Sequence, residues 1–324
     1  MESFQQFIAP LWVQLVWPLV RIMLLVSVGI VAANFIEALN WTHRLALLAR
    51  PLIRLGRLSA ITGASFSMAF FSGVSANTML AEAYDQGRIA KKELVLANLF
   101  NSLPRFFLHL PTVFFLTAPF IKGAAVLYVG ITFGAAALQT MLVVVAGRLL
   151  MARPMTVAAA PEPSAERKKI SWRQAFDRSW LRFRKRIPKV LGFIVPIYII
   201  FYLLSRYGIF KRLEELIAAK AWFLAWLDPK SLSIVILHVT AEFSAGLAAA
   251  GVMLADNSLG YREVVLALLA GNVLASPVRA LRHQFPYYVG IFTPRLAAEL
   301  VGLSQAFRIG CIVLVGGGYY FYTL

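Results

Sequence analysis

The sequence predicts an all-α polytopic membrane protein built from two inverted-topology repeats, with broken or re-entrant helices and amphipathic interfacial helices. Hydrophobic residues make up 60% of the 324 residues and charged residues only 15%, well below the quarter that is usual in soluble domains. One order of segments occurs twice along the chain, and basic residues flank the two copies differently. The composition excludes an ordinary soluble domain, and the other two observations predict paired, oppositely oriented halves.

The first predicted repeat occupies residues 1–150. It contains, in order, a span, a short amphipathic helix, an apolar segment interrupted by Gly and Ser, a polar helix with a proline, and a closing span. These five elements are predicted at residues 11–35, 42–58, 61–84, 92–110 and 123–150. The longest of them exceed the roughly 20 apolar residues that a helix needs to cross a bilayer.

The second predicted repeat, residues 172–324, has the same order of elements. They are predicted at residues 190–204, 210–227, 232–254, 262–285 and 304–322. A basic amphipathic helix at residues 172–189 precedes them and is expected to lie on the inner leaflet. Residues 151–171, rich in Ala and Pro, are predicted to form a cytoplasmic linker between the repeats.

The net charge of +17 is concentrated around this linker. Residues 148–189 contain twelve Lys or Arg and three acids, a local charge of +9. A basic segment between apolar blocks is typical of a cytoplasmic loop that faces anionic lipids. The sequence therefore predicts membrane lipids as partners, no nucleic acid, and a location in the bacterial cytoplasmic (inner) membrane.

The basic residues near the second element of each half indicate orientation. Residues 42–58 contain four arginines and no acid, which favours the cytoplasmic side. The matching region of the second half, residues 210–230, mixes four basic residues with three acidic ones, so we expect it on the opposite side. Inverted-topology repeats follow from this difference.

A polar pattern, N-x3-S-x2-R-x3-H, occurs in both halves and is the main candidate binding site. Its members are Asn98, Ser102, Arg105 and His109, and, 174 positions later (98 to 272), Asn272, Ser276, Arg279 and His283. Offsets of 4, 7 and 11 fall within about 60° on a helix, so each set forms one stripe. Arg offers a planar fork of donors suited to carboxylate or phosphate, which favours an anion site. The alternative is that the polar residues join helices while Arg extends to the membrane interface.

Interruptions of two apolar segments form a second candidate site. Residues 71–77 include Ser72, Ser75 and Asn77, and residues 243–246, which include Ser244, occupy the matching place. Both are predicted to break a helix, and the amide end of a half-helix favours negative charge. Close packing of small residues is the alternative interpretation.

One carboxylate and two prolines accompany these patterns. Glu242 is a candidate for proton or cation coupling, or for an ion pair with Arg105 or Arg279. Pro104 and Pro277 each remove a helical donor and are expected to bend their helices.

The two broken segments are each followed by a helix that contains Asn and Ser. This arrangement resembles the nucleoside-recognition or "Gate" domain family. That family is related to spore maturation membrane proteins and to the membrane part of ferrous-iron transporters. The resemblance implies a solute site at residues 72–77, 98–102, 244–246 and 272–276. The chain lacks the G-x-x-x-x-G-K-S/T phosphate loop, and neither broken segment contains Cys, which disfavours iron transport.

The sequence thus predicts a secondary transporter of a small anionic solute such as an organic phosphate, a nucleotide-like molecule or a carboxylate. Arg105 and Arg279 would bind the charge, and His109 and His283 would donate or accept protons. We expect no enzymatic activity, no cofactor and no metal site. The alternatives are a nucleoside or metal-ion transporter of the Gate family, a lipid-phosphate translocase or enzyme, and a membrane scaffold without transport activity. The sequence leaves a homo-oligomer open.

Overall fold

The computed structural model describes residues 49–151, 224, 226–240 and 243–324, together with scattered positions between 12 and 31 and between 173 and 203. Within these ranges the chain is helical and contains no strand. The predicted all-α class is confirmed. The linker at 151–171 and most of the predicted elements at 11–35, 172–204 and 210–227 lie outside the described residues.

Six helices of the first half and five of the second are described. The first six are α1 (Ala49–Gly56), α2 (Ala60–Ala69), α3 (Gly73–Asp85), α4 (Lys91–Phe100), α5 (Ser102–Ile121) and α6 (Ala124–Leu150). The others are α7 (Leu232–Thr240), α8 (Phe243–Ala255), α9 (Tyr261–Arg279), α10 (Phe285–Val289) and α11 (Pro294–Tyr322), with a π-helical turn at Ala280–Gln284. Among the described residues, four stretches are long and apolar enough to cross a membrane: Lys91–Ile121, α6, α9 and α11.

The predicted interruption in the first half lies between α2 and α3. α2 ends at Ala69, and Ser72 is the N-cap of α3, where its hydroxyl accepts from Ser75 N at 3.1 Å. Such a cap satisfies a backbone N–H that has no partner inside the helix. The two helices contain 10 and 13 residues, about 15 and 20 Å, so neither spans a bilayer alone.

The prediction of a break within residues 243–246 is wrong, because these residues are helical and form the first turn of α8. α7 (Leu232–Thr240) precedes α8, and the two residues between them lie outside the described residues. Gly246 serves close packing instead: a Cβ at this position would lie 3.0 Å from the Cβ of His238.

The first polar helix is divided, but not at its proline. α4 ends at Phe100 and α5 begins at Ser102, with Asn101 between them. Asn101 is buried and donates to the Ser65 hydroxyl at 2.8 Å. Pro104 falls in the first turn of α5, where a missing N–H leaves no helical hydrogen bond unmade. The expected bend at Pro104 is therefore replaced by a break three residues earlier.

In the second half, the matching helix α9 is not divided at the equivalent place but continues as far as Arg279. α9 includes Pro277 and passes at Arg279 into the π-helical turn, which α10 follows. A missing proline donor loosens the local hydrogen-bond ladder, and π-turns inside helices often occur at functional sites.

The turns that lead into α4 and α9 are built alike. Gly87 (φ 68°) and Asn257 (φ 57°) are both left-handed and lie 170 positions apart (87 to 257). The polar patterns lie 174 positions apart (98 to 272), so α9 contains about one additional helical turn before its pattern.

The long helix α11 contacts both of these helix starts, at its two ends. Lys91, the first residue of α4, forms an ion pair of 2.6 Å with Glu299 near the start of α11. Arg262, near the start of α9, donates to the Thr323 hydroxyl at 3.0 Å and lies over the Tyr320 ring. About 36 Å of helix separates residues 299 and 323. The starts of α4 and α9 therefore lie at opposite ends of α11.

Candidate functional site

A cavity of about 820 Å³ lies between helices from both halves. α3, α5 and α6 line it from the first half, and α8 to α11 with the π-helical turn line it from the second. Seven residues of the two predicted sites border it: Ser72, Asn77, Ser102, Arg105, His109, Asn272 and Arg279. The structure therefore brings parts of both polar patterns and of the first interrupted segment to one place.

The other predicted site residues lie elsewhere. Asn98 and Ser276 are buried but do not border the cavity, and Ser75 is exposed. Ser244 is half-buried outside the cavity lining. Glu242 lies outside the described residues, so its predicted role stays a prediction.

His283 also differs from its expected place beside Arg279. It is exposed and does not border the cavity. The predicted stripe assumes one continuous α-helix, whereas His283 lies in the π-helical turn Ala280–Gln284. A π-turn has more residues per turn than an α-helix, so residues beyond Arg279 are rotated away from the stripe.

Arg105 is held in place by three hydrogen bonds. Its Nε donates to the Asn101 carbonyl at 3.0 Å, and its Nη2 donates to the Asn98 carbonyl at 2.9 Å. Its Nη1 donates to the Tyr288 hydroxyl at 3.3 Å. All three acceptors are neutral, so these contacts orient the guanidinium without neutralising its charge.

Arg279 is held in a related way. Its Nη2 donates to the Asn272 carbonyl at 3.2 Å and to Asn272 Oδ1 at 2.6 Å. In both halves, then, the arginine of the pattern donates to the backbone carbonyl of the asparagine seven residues before it. Because the same contact forms twice, the N-x6-R spacing defines a local structural motif.

The two asparagines also connect the halves to each other. Asn98 Nδ2 donates to the hydroxyl of Tyr288, in the second half, at 3.0 Å. Asn272 Nδ2 donates to the hydroxyl of Tyr128, in the first half, at 3.1 Å. Each asparagine therefore fixes an arginine of its own half and a tyrosine of the other half.

A third arginine, Arg308 of α11, joins the site. Its Nη2 donates to Asn272 Oδ1 at 3.3 Å, so one side-chain oxygen accepts from both Arg279 and Arg308. Arg308 is also close enough to Arg279 and Arg105 to be repelled by their charges. No Asp or Glu borders the cavity among the described residues. The site is strongly cationic.

Apolar side chains form the rest of the wall. Phe106, Leu110 and Val113 follow Arg105 along α5 and border the cavity. Phe243 also borders it and stacks on Tyr128 with ring centroids 5.8 Å apart. The cavity thus combines a cationic region with an apolar wall, as organic-ligand sites do.

Three full-length relatives, all uncharacterized proteins of the archaeon Methanocaldococcus jannaschii, resemble the chain. The first is 26% identical over 293 residues, which cover 90% of this chain and 89% of the relative. The second is 25% identical over 284 residues (87% and 88%), and the third 21% identical over 285 residues (85% and 88%). No family model matches the chain, and no solved structure matches it significantly. The likeness to the Gate family stays a prediction.

Sequence reasoning did not select Arg308, Tyr128 or Tyr288. Arg308 carried a usable signal, because it interrupts the apolar run at 306–322 and an arginine within a spanning helix is rare and usually functional. The tyrosines gave no comparable signal, since tyrosines are frequent at membrane interfaces. Their importance follows only from the pairing of distant helices.

A metal site finds no support in the described ranges. They contain no group of three or more His, Cys, Asp or Glu side chains that could hold a metal ion. Three guanidinium groups border the cavity, and each donates hydrogen bonds but accepts none.

Proposed function

We propose that the protein is a membrane transporter that binds a small anionic solute in the cavity between two inverted repeats. The observation that carries this proposal is the convergence of Arg105, Arg279 and Arg308 on one cavity in which no described lining residue is acidic. Uncompensated charge in a low-dielectric setting is costly, and a bound anion would offset that cost.

The geometry of the arginines supports an anion as the solute. Guanidinium groups present several N–H donors in one plane and pair well with carboxylate or phosphate. Arg279 and Arg308 share one neutral acceptor, Asn272 Oδ1, which leaves further donors on both groups for a ligand. A nucleoside without a phosphate would use the hydroxyl and amide groups but not this charge.

Two features support the inverted repeats. The starts of α4 and α9 contact opposite ends of α11, as expected if equivalent helices enter the membrane from opposite sides. In addition, α2 and α3 precede α4, and α7 and α8 precede α9. Each of these four helices is too short to span a bilayer alone. In transporters with inverted repeats, such discontinuous helices surround a central solute site and the halves move relative to each other.

Within this proposal the protein lies in the cytoplasmic membrane and its basic linker faces the cytoplasm. The four apolar helical stretches are compatible with an integral membrane protein. A gradient or a partner protein would supply the energy, because the sequence contains no phosphate-binding loop. The solute would leave chemically unchanged, which mass spectrometry of the released ligand can check.

Binding is tested by thermal unfolding of the purified chain with organic phosphates, carboxylates, nucleotides, nucleosides and divalent metals. We expect anions to raise the unfolding temperature, and Arg105→Gln, Arg279→Gln and Arg308→Gln to abolish this rise. Arg295→Gln is the control, because Arg295 lies on α11 with Arg308 but is exposed. Stabilisation by nucleosides or metals alone, retained in all variants, would refute the anion site.

Transport is tested in proteoliposomes loaded with the anion that stabilises best. We expect uptake or exchange that saturates with the anion and is lost in the Arg308→Gln variant. Saturable binding without flux in either direction would favour a receptor or scaffold over a transporter.

The inverted orientation has its own test. The single cysteine, Cys311, is buried, so Cys311→Ala provides a cysteine-free background. Gln86→Cys and Asp256→Cys then mark the exposed turns before α4 and α9. A membrane-impermeant maleimide should label one of them from outside intact cells and the other only after lysis. Labelling of both from one side would refute inverted topology.

A further inference from the structure

We propose that the solute is an amphiphilic organophosphate, with a phosphoryl group at the three arginines and an apolar body along α5. This inference rests on the proposed function and specifies the ligand of the same site. It rests on three observations: the size of the cavity, the position of its apolar wall and the number of its positive charges.

The cavity is too large for an inorganic anion alone. Its volume of about 820 Å³ falls within the range of roughly 300–1,000 Å³ that whole organic ligands occupy. A phosphate ion displaces on the order of three waters, each about 30 Å³. Most of the cavity would remain filled with water if the ligand were an inorganic ion.

The apolar wall extends along α5 away from Arg105. Phe106, Leu110 and Val113 have helical offsets of 4 and 7 and so share one face of α5. Val113 lies eight residues beyond Arg105, about 12 Å along the helix, and Ile312 of α11 also borders the cavity. An apolar body of this length would remove the wall from water, whereas a compact polar anion would leave it wet.

The charge favours a phosphoryl group over a single carboxylate. Arg105, Arg279 and Arg308 contribute three positive charges, and the groups that accept their hydrogen bonds among the described residues are all neutral. A phosphomonoester carries about −1.5 to −2 at neutral pH and offers three strong acceptor oxygens. One such group can therefore bridge several guanidinium forks, which one carboxylate cannot do as completely.

Two sources can supply this chemistry: a phosphate-bearing membrane lipid, or a water-soluble organophosphate with an apolar body. Both kinds of ligand would place a phosphoryl group at the three arginines and an apolar body along α5. They differ in the length and number of their apolar chains, so a series of ligands can distinguish them.

The experiment measures dissociation constants of the purified full-length chain in lipid nanodiscs by calorimetry. The ligands are inorganic phosphate, methyl phosphate, butyl phosphate, hexyl phosphate, hexanol, and the short-chain lipids dihexanoyl phosphatidic acid and dihexanoyl phosphatidylcholine. We expect hexyl phosphate to bind at least tenfold more tightly than methyl phosphate, and hexanol not to bind. Competition by dihexanoyl phosphatidic acid, but not by phosphatidylcholine, assigns a lipid source; hexyl phosphate binding without that competition assigns a soluble source.

Variants separate the head from the body. Val113→Thr replaces an apolar group by a polar one of similar size and should reduce the affinity for hexyl phosphate several-fold while leaving methyl phosphate unchanged. Val145→Thr is the control, because Val145 lies on the exposed surface of α6. Arg308→Gln should abolish binding of both phosphates.

Three results would overturn the inference and are distinguishable. Equal affinities for methyl, butyl and hexyl phosphate would refute the apolar body but leave the anion site intact. Absence of binding by every anion would refute the proposed function itself. Hexanol binding as tight as that of hexyl phosphate would refute the role of the phosphoryl group.

Discussion

The side-chain amide of Asn98 donates to the hydroxyl of Tyr288 at 3.0 Å, across 190 positions of the chain. The same amide donates to Asn77 Oδ1 at 3.1 Å, and the Tyr288 hydroxyl also accepts from Arg105. Tyr288 is 1% exposed. This one hydroxyl therefore joins α10 of the second half to α4 and α5 of the first.

Removal of that hydroxyl should weaken the contact between the halves. We expect Tyr288→Phe to lower the free energy of unfolding by about 1–3 kcal/mol, because the buried amide of Asn98 and the half-buried guanidinium of Arg105 lose an acceptor. Thermal unfolding in detergent, with Tyr322→Phe as a control at a side chain 90% exposed, measures the difference. Equal unfolding temperatures for the two variants would contradict a structural role for the Tyr288 hydroxyl.

A carboxylate introduced by substitution at the cationic site should take the place of the bound anion. In Asn272→Asp the new carboxylate would lie between Arg279 and Arg308, which both donate to Asn272 Oδ1. The Tyr128 hydroxyl can donate to it in place of accepting. We expect a higher unfolding temperature without ligand, by an amount consistent with charge-assisted bonds of about 1.5–3 kcal/mol.

The same variant should bind anions at least tenfold more weakly, because the site would already be partly neutralised. Calorimetry with the best-stabilising anion measures this. Asn257→Asp makes the same change of net charge in an exposed turn and should leave affinity unchanged. Unchanged anion binding in Asn272→Asp would show that the arginines do not form the site.

The equivalence of the two left-handed turns predicts which residues position 87 accepts. Gly87 has φ 68° with no atom close to a built Cβ, and its counterpart Asn257 has φ 57°. Gly87→Ala should cost about 1–2 kcal/mol from backbone strain alone, whereas Gly87→Asn should cost clearly less, because Asn tolerates this conformation. Chemical or thermal unfolding compares them. If Asn is as costly as Ala, the turns are not equivalent.

Sequence patterns predicted the helical fold because membrane helices are defined by local properties: length, apolarity and flanking charge. The closing span of the first half, predicted at 123–150, is α6 (Ala124–Leu150). Interruptions were less predictable. Ser72 has a side chain that caps a helix, so its break could be found. Gly246 is equally small but lies inside α8, where it packs closely against His238.

The candidate site was predictable in the same partial way. Arg105 and Arg279 follow from a local sequence pattern that occurs in both halves, and both border the cavity. The position of His283 outside the cavity could not be predicted, because a π-helical turn leaves no reliable mark in one sequence. Arg308 and Tyr128 converge on Asn272 from α11 and α6. Contacts between helices distant in sequence depend on tertiary packing, which local patterns do not encode.

Close packing of α6 against α1 gives the last prediction. A Cβ at Gly147 would lie 2.5 Å from the backbone oxygen of Gly56, whereas one at Gly130, on the same helix, would meet nothing within 4 Å. A backbone atom cannot move aside as a side chain can, so Gly147→Ala should destabilise by about 1–3 kcal/mol. Gly130→Ala should stabilise by roughly 1 kcal/mol through helix propensity. Unfolding temperatures of the two variants should move in opposite directions, and a rise in both would show that α1 does not contact α6 at Gly147.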